Sequence, residues 1–259
     1  MKANAATISL LLALAVLSCS VCAPLCARAD GAKRITLFLT DTDWPPYVTK
    51  DSGRPEGGVF AEVLRAVAEP MGYRVQVVFL PDRRGWEMLN QGAVDVHVKA
   101  REWVPNPGRY RWSVPFLPNE DVLLYSASHP LEYTSPRALY GKSVAAIRGF
   151  VYPAFEPHFG PGRITRVDVA TPFAMFDLLE LDRVDAALVN RAETQWMLTH
   201  SPGIDPARFR LDKRNVGSAQ YRFVFSPKGD WQPFIDRLDR GLETLKQDGR
   251  LEAILDGYR

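Results

Sequence analysis

Two series of alternating strand and helix patterns, separated by an apolar strand that no helix follows, constrain the fold of this chain most strongly. The first series starts at the β-rich run 34–39 and reaches residue 98. The apolar segment Val122–Tyr125 comes next, and the second series occupies residues 143–198. Strands that alternate with helices form parallel sheets with right-handed crossovers. The sequence therefore predicts an α/β fold with two α/β units.

Hydrophobic periodicity and the positions of glycine and proline give the individual elements. We expect strands over 34–39, 75–79, 94–98, 143–147 and 186–189, and helices from Gly57-Gly58 to Gly72 and over 84–90, 173–179, 192–198, 234–247 and 251–255. The run Tyr221–Phe225 is a second extended crossing, and the last two helices should return to the first unit. Ligands of such sheets bind at the carboxyl ends of the strands. This places the loops 41–47, 99–109, 148–152 and 190–193 around a common site.

The first 29 residues have the three-part pattern of a secretory signal peptide. Lys2 gives a positive start, an apolar run follows over 8–17, and Ala27-Arg28-Ala29 has small residues where a signal peptidase cleaves. The apolar run is about half the roughly 20 residues that a membrane-spanning helix needs. We therefore expect cleavage after Ala29 and a periplasmic location. The segment before Cys19 also loosely matches a lipoprotein cleavage site, so a lipid anchor on Cys19 is an alternative.

Composition argues against several classes of protein. The three cysteines all precede Ala29, so the mature chain would have no disulfide and no thiol nucleophile. A net charge of +2 does not favour binding to nucleic acid. The four histidines, at positions 97, 129, 158 and 200, lack the spacing of metal ligands. Motifs of serine hydrolases, phosphate loops and dinucleotide sites are missing. We expect no metal, no cofactor and no catalytic residue.

Several short motifs occur in a characteristic order. They are Asp43-Trp44-Pro45-Pro46-Tyr47, Gly57-Gly58-Val59-Phe60, Gly92-Ala93-Val94-Asp95, Trp112-Ser113-Val114-Pro115-Phe116, the segment Leu139–Gly149 with Arg183-Val184-Asp185-Ala186, and the terminal Leu245-Lys246-Gln247-Asp248-Gly249. Through them the chain resembles the family-3 extracellular solute-binding proteins, the periplasmic receptors of polar amino acid ABC transporters. The resemblance runs from about residue 34 to residue 258.

The resemblance implies a two-lobe periplasmic-binding-protein type II fold, in which each lobe is an α/β sheet and two hinge crossings join the lobes. Lobe 1 would comprise 30–122 and 226–259, and lobe 2 would comprise 123–225. The ligand would be a small molecule held between the lobes, and the partner would be an ABC transporter membrane permease. We expect a monomer.

In the first lobe the resemblance places an aromatic residue over the ligand, and Trp44 has the matching position, with Tyr47 next to it. The alternative is that Trp44 only packs under Pro45-Pro46. Related receptors hold the ligand's carboxylate with an arginine, because a guanidinium pairs with it through two hydrogen bonds. In this chain Asn106 occupies the position of that arginine. Arg101 and Arg109 are the candidates to bind the carboxylate in its place. The alternative for Arg101 is a surface ion pair with Glu102.

The second lobe also departs from the pattern of the family. Asn190 stands where an aspartate usually accepts the ligand's ammonium group, and Glu193 is the nearest acid that could replace it. A loop that commonly contributes a threonine reads Phe150-Val151-Tyr152, preceded by Arg148. The candidate ligand-binding residues are Trp44, Tyr47, Lys99, Arg101, Trp103, Arg109, Arg148, Phe150, Val151, Tyr152, Asn190 and Glu193.

The excess of cations among these candidates favours a ligand with an anionic group, either an amino acid or a related organic acid. Two other functions stay open. One is a periplasmic enzyme on the same scaffold, similar to cyclohexadienyl dehydratases, with Glu102 or Glu193 as general acid. The other is a freestanding ligand sensor for a membrane partner. The sensing domains of receptors normally precede a transmembrane helix, which this sequence does not contain.

Overall fold

The computed structural model describes residues 33–50 and 56–258. The first lobe begins with a three-stranded parallel arrangement in the order β2-β1-β3. Its elements are β1 (Lys33–Thr40), α1 (Gly58–Ala68), β2 (Tyr73–Leu80), α2 (Asp82–Gln91) and β3 (Val96–Ala100). The parallel pairing that the strand and helix alternation predicts is therefore confirmed.

The second series follows a long strand that crosses between the lobes. The remaining elements are β4 (Arg111–Trp112), β5 (Leu117–Ser126), β6 (Ser143–Ile147), α3 (Glu156–Phe159), β7 (Thr165–Val169), α4 (Pro172–Glu180), β8 (Ala186–Asn190), α5 (Arg191–His200), β9 (Phe209–Leu211), β10 (Gly217–Phe225), α6 (Gln232–Gln247) and α7 (Arg250–Asp256). Strand β6 lies between β7 and β8 and is parallel to both. The fold is the predicted mixed α/β type with two lobes.

The crossing strands β5 and β10 run antiparallel to each other and join the two parallel sheets. Residues 221–225 of β10 pair with β3, while residues 217–221 pair with β5. In turn, β5 pairs with β8 through residues 121–124. Asp121 consequently has Gly217 on one side and Asn190 on the other. The middle of β5 lies where the two lobes meet.

Each lobe has its own apolar core. In the first lobe, α1 contributes Val59, Phe60, Val63 and Leu64, and α6 contributes Leu238, Leu242 and Leu245 to the same cluster. This confirms that the C-terminal helices return to the first lobe. The second lobe has clusters on both faces of its sheet, for example Phe176 with Phe209 on one face and Tyr152 with Phe155 on the other.

Both crossing strands contribute to both lobes, so the lobe bounds inferred from the sequence stay a prediction. Within β10, Tyr221, Phe223 and Phe225 pack in the first core. Within β5, Leu117 packs in the first core and Val122 in the second. The change from one core to the other therefore takes place inside β5.

Several details differ from the sequence-based prediction. Helix α1 ends at Ala68, before the expected Gly72, and a 3-10 turn over Glu69–Met71 follows. Pro70 lies in that turn, and because it lacks an N–H it cannot continue the helical hydrogen bonds. Strand β3 begins at Val96, two residues after the expected start. The edge strand β7 was missed altogether because its five residues alternate polar and apolar types over too short a length.

The expected signal peptide, including Cys19, lies outside the described residues. Within 33–50 and 56–258, no helix is both long enough and apolar enough to cross a membrane.

Candidate ligand-binding site between the lobes

The loop that carries Trp44 and Tyr47 is fixed by the first turn of α1. The carbonyl oxygens of Pro46 and Tyr47 accept hydrogen bonds from the backbone N–H groups of Val59, at 3.1 Å, and Phe60, at 3.2 Å. These N–H groups have no partner inside the helix, so the loop satisfies them. Gly58 permits this contact. Its φ is +63°, and a Cβ atom there would lie 2.7 Å from both carbonyl oxygens.

Aromatic rings from three segments of the first lobe meet at the lobe interface. The Trp44 ring centroid lies 4.8 Å from that of Tyr47 and 5.9 Å from that of Tyr221. Trp103, which is 44% exposed, contacts the opposite side of the group, 5.8 Å from Tyr221. Trp44 is half-buried and packs against the first core. Trp44 therefore packs in the first lobe, as the alternative in the sequence analysis expects, and it also lies beside Glu193 of the second lobe.

A chain of side-chain hydrogen bonds connects the lobes. The Tyr47 hydroxyl donates to Oδ1 of Asn190 at 3.2 Å, and Nδ2 of Asn190 donates to Oδ1 of Asn119 at 2.7 Å. The Tyr221 hydroxyl donates to the same Asn119 oxygen at 2.8 Å. Asn119 in turn donates to Asp121 at 3.3 Å. Asn119 is therefore the centre of the network, with residues of both lobes bound to its side chain.

Asn190 also caps the helix that follows it. Its Oδ1 accepts a hydrogen bond at 2.9 Å from the backbone N–H of Glu193, three residues later. Asparagine is among the best residues for this position. The cap places Glu193 in the first turn of α5, where the helix dipole favours a negative charge.

Two carboxyl groups lie at this interface, and burial raises the pKa of each. The pKa of Glu193 is raised to about 7 by burial, although a hydrogen bond with the Trp44 side chain partly opposes the shift. The pKa of Asp121 is raised to about 6, again by burial, with the hydrogen bond from Asn119 opposing. A raised pKa stabilises the folded arrangement when the acid is protonated. That contribution is lost as the pH rises through about 7 for Glu193 and about 6 for Asp121.

The tyrosines at the interface stay neutral and act as hydrogen-bond donors or acceptors. Burial raises the pKa of Tyr47 and of Tyr221, and the charge of Glu193 adds to both shifts. Burial raises the pKa of Tyr152 to about 12, with smaller contributions from the charges of Asp121 and Glu193. The shared influence of the two acids places all three tyrosine rings near them.

The structure brings part of the predicted site together. Trp44, Tyr47, Trp103, Asn190 and Glu193 belong to the interface group or contact it. For Tyr152, the charges of Asp121 and Glu193 contribute to its raised pKa. The predicted cations do not join it in the described contacts. Lys99 pairs with Asp82 of α2 at 3.7 Å. Arg101, Arg109 and Arg148 are exposed, as are Phe150 at 59% and Val151 at 72%.

Sequence reasoning missed Asn119, Asp121, Tyr221 and Arg166. Asn119, Asp121 and Tyr221 lie on the crossing strands. The only sign of a functional role in the sequence was a polar side chain within an apolar run. Arg166 of β7 supports the loop after β6, because it donates to the carbonyl oxygens of Ile147, at 3.0 Å, and Phe150, at 2.8 Å. It also pairs with Glu156 at 3.1 Å, so its charge is already balanced.

A depression of about 580 Å³ lies on lobe 2. It is lined in part by His129, Lys142, Asp182 and Asp185. These charges pair with one another, His129 with Asp182 at 3.2 Å and Lys142 with Asp185 at 3.4 Å. The described part of the chain contains no group of three or more metal-ligating side chains. The interface between the lobes is therefore the stronger candidate site.

Comparisons with known proteins give the family of the chain. Residues 37–259 match the family model of bacterial extracellular solute-binding proteins, family 3. A search of curated proteins found no match.

Solved structures share the fold at low sequence identity. Substrate-binding domain 2 of GlnP from Lactococcus lactis, in an open conformation, has a TM-score of 0.69 at 15% identity over 88% of this chain and 96% of that one. The GluR0 ligand-binding core in complex with L-glutamate has a TM-score of 0.66 at 17% identity over 88% and 97%. A histidine kinase sensor domain similar to periplasmic binding proteins has a TM-score of 0.65 at 23% identity over 88% and 97%.

Proposed function

The chain belongs to the bacterial extracellular solute-binding proteins of family 3, and from this we propose that it captures one small polar solute between its lobes and delivers it to an ABC transporter permease. The observation that carries the proposal is the hydrogen bond between the lobes. The Tyr47 hydroxyl of the first lobe donates to Asn190 of the second at 3.2 Å, and Trp44 lies beside Glu193. Polar and aromatic groups from both lobes thus face the same small region.

The mechanism is closure of the two lobes about the crossing strands. A ligand that contacts both lobes stabilises the closed form by its differential affinity for that form. Asn119 and Tyr221 lie on the crossing strands themselves. The geometry of the network therefore depends on the relative position of the lobes, and so does the binding of any ligand that contacts it. Sites of this kind are enclosed clefts with a few placed polar groups.

The proposal includes a cleaved signal peptide over 1–29, a periplasmic location and a monomeric state. Lipid attachment at Cys19 is the alternative to cleavage after Ala29. The amino acids and related organic acids suggested by the sequence are the first ligands to test, together with amines.

A thermal-shift screen tests the proposed function. We expect at least one amino acid, carboxylate or amine to raise the melting temperature, because a ligand that binds only the folded state stabilises it by about 2.7 kcal/mol at 100 times its Kd. The Trp44→Ala variant should bind the best compound at least about tenfold more weakly, since tenfold is about 1.4 kcal/mol and a desolvated ring contact is worth up to about 2 kcal/mol. A screen in which no small solute stabilises the protein would contradict the proposal.

One observation favours a second candidate, an enzyme of the cyclohexadienyl dehydratase type. A carboxylic acid at the lobe interface whose pKa burial raises to about 7, as for Glu193, suits a general acid. The other acid considered from the sequence, Glu102, is exposed. Turnover of a cyclohexadienyl substrate that Glu193→Gln abolishes would establish this function over simple binding.

A further inference from the structure

We infer that the ligand carries a cationic group, an ammonium or guanidinium, and that Glu193, Asp121 and the aromatic rings of Trp44 and Tyr47 hold this group between the lobes. The inference rests on the proposed function and specifies the charge of the ligand. It differs from the expectation of an anionic group, which depended on Lys99, Arg101, Arg109 and Arg148. Lys99 pairs with Asp82, and the three arginines are exposed.

The first argument is the position of the two carboxyl groups. Glu193 is partly accessible as a residue, but its carboxyl group is buried against Trp44. Asp121 lies between Asn190 and Gly217 in the joined sheet, with a single side-chain hydrogen bond, from Asn119. A buried carboxylate is costly without a positive partner. A bound cation supplies that partner, whereas a bound anion adds to the repulsion.

The second argument is the absence of a free positive charge among the described groups that surround the acids. The titratable neighbours on the packed elements are Tyr47, Tyr152, Tyr221, Glu120, Arg166 and Arg191. Arg191 pairs with Glu120 at 2.7 Å and donates to the carbonyl oxygens of Asp212 and Lys213. Arg166 is held by Glu156 and Asp168. Neither arginine has its charge available to the ligand.

The third argument is the aromatic surface beside the acids. The rings of Trp44 and Tyr47 meet at an angle of 53°, and the ring of Tyr221 meets that of Trp44 at 78°. Ring faces attract cations, and tryptophan does so most strongly. A site that combines tilted rings with two carboxyl groups is therefore suited to an organic cation.

The inference also explains what closes the lobes. In this arrangement Glu193 follows Asn190 of the second lobe and lies against Trp44 of the first. When it is ionised, Glu193 opposes close approach of the lobes because its carboxylate loses water. A cation between the lobes removes that opposition, so the ligand's charge contributes directly to its preference for the closed form.

Isothermal titration calorimetry of the full chain at pH 8 tests the inference. The probes are two sets of unbranched compounds of equal carbon number, namely butylamine, 2-aminobutyrate and butyrate, and pentylamine, 2-aminopentanoate and pentanoate, with butylguanidine as the guanidinium probe. We expect the amine of each set to bind at least as tightly as the amino acid and at least tenfold more tightly than the carboxylate, and we expect butylguanidine to bind at least tenfold more tightly than butyrate. The Glu193→Gln substitution should lower the affinity for the amine probes at least tenfold. The exposed Glu132→Gln makes the same change of charge in the same lobe and should stay within twofold of the parent.

Three outcomes would overturn the inference. The first is tightest binding by the carboxylate. The second is binding of only those probes that carry a carboxylate, with a larger loss of affinity in Arg101→Ala than in Glu193→Gln. Either result would leave the proposed capture of a solute intact. The third, no heat from any probe of either charge together with no thermal stabilisation by any solute, would overturn both the inference and the proposed function. A folded Glu193→Gln variant is verified by its unchanged circular dichroism spectrum.

Discussion

The Gly58→Ala variant should lose about 3 kcal/mol of unfolding free energy, which corresponds to roughly 10 °C in melting temperature for a domain of this size. A left-handed conformation costs a residue with a Cβ about 1–2 kcal/mol. The new Cβ would also lie 2.7 Å from the backbone oxygens of Pro46 and Tyr47, and backbone cannot move aside as a side chain can. The loop that carries Trp44 should shift away from α1, so ligand affinity should fall as well.

Urea unfolding monitored by circular dichroism measures this loss. Gly203→Ala is the matched control, because Gly203 is exposed, lacks a positive φ and has no atom within 4 Å of a Cβ placed there. That variant should remain within about 0.5 kcal/mol of the parent. Equal stability of the two variants would mean that the contact between the loop and α1 is not as tight as described.

Replacing Asn119 by alanine should also cost about 3 kcal/mol, for a different reason. The Asn119 side chain is 4% exposed, and its Oδ1 accepts hydrogen bonds from both Tyr221 and Asn190. Truncation leaves two donors at the lobe interface without their acceptor, and each unsatisfied buried group costs about 1–3 kcal/mol. Ligand affinity should fall together with stability, since the network spans both lobes.

Two further variants separate this network from a general loss of packing. Tyr221→Phe removes one donor and leaves the bond between Asn119 and Asn190, so it should cost about 1 kcal/mol. Asn215→Ala removes an exposed amide that bonds to Glu120 and should cost less than that. Chemical denaturation gives all three values. An Asn119→Ala variant no less stable than Asn215→Ala would refute the proposed role of the network.

Most of the fold could be predicted because its signals are local. Strand β6 was predicted with its observed ends, since Ser143–Ile147 is a short β-branched and small apolar run between turn residues. The helix over 84–90 was predicted within two residues at each end. Strand β7 and helix α3 were missed, because a five-residue edge strand and a four-residue helix are too short for periodicity to mark them.

The candidate site could be predicted only where a residue belongs to a recognisable motif. Trp44 and Asn190 follow strands whose ends any α/β sheet would bring together. Asn119 and Asp121 could not be found in this way, because their importance arises from pairing of β5 with both β8 and β10 over a long sequence separation. The role of the basic residues could not be predicted for the same reason. The direction of each basic side chain depends on the local turn and on its ion-pair partner, which the sequence alone does not determine. Lys99, for example, pairs with Asp82.

Hydrogen–deuterium exchange with the compound that raises the melting temperature most tests the central claim, that residues of both lobes bind one ligand. We expect the ligand to slow exchange at 44–48 in the first lobe and at 190–194 in the second lobe at the same ligand concentration. The Trp44→Ala variant should lose both effects together. Protection confined to one lobe, or to the depression around His129 and Asp185 on lobe 2, would contradict the claim.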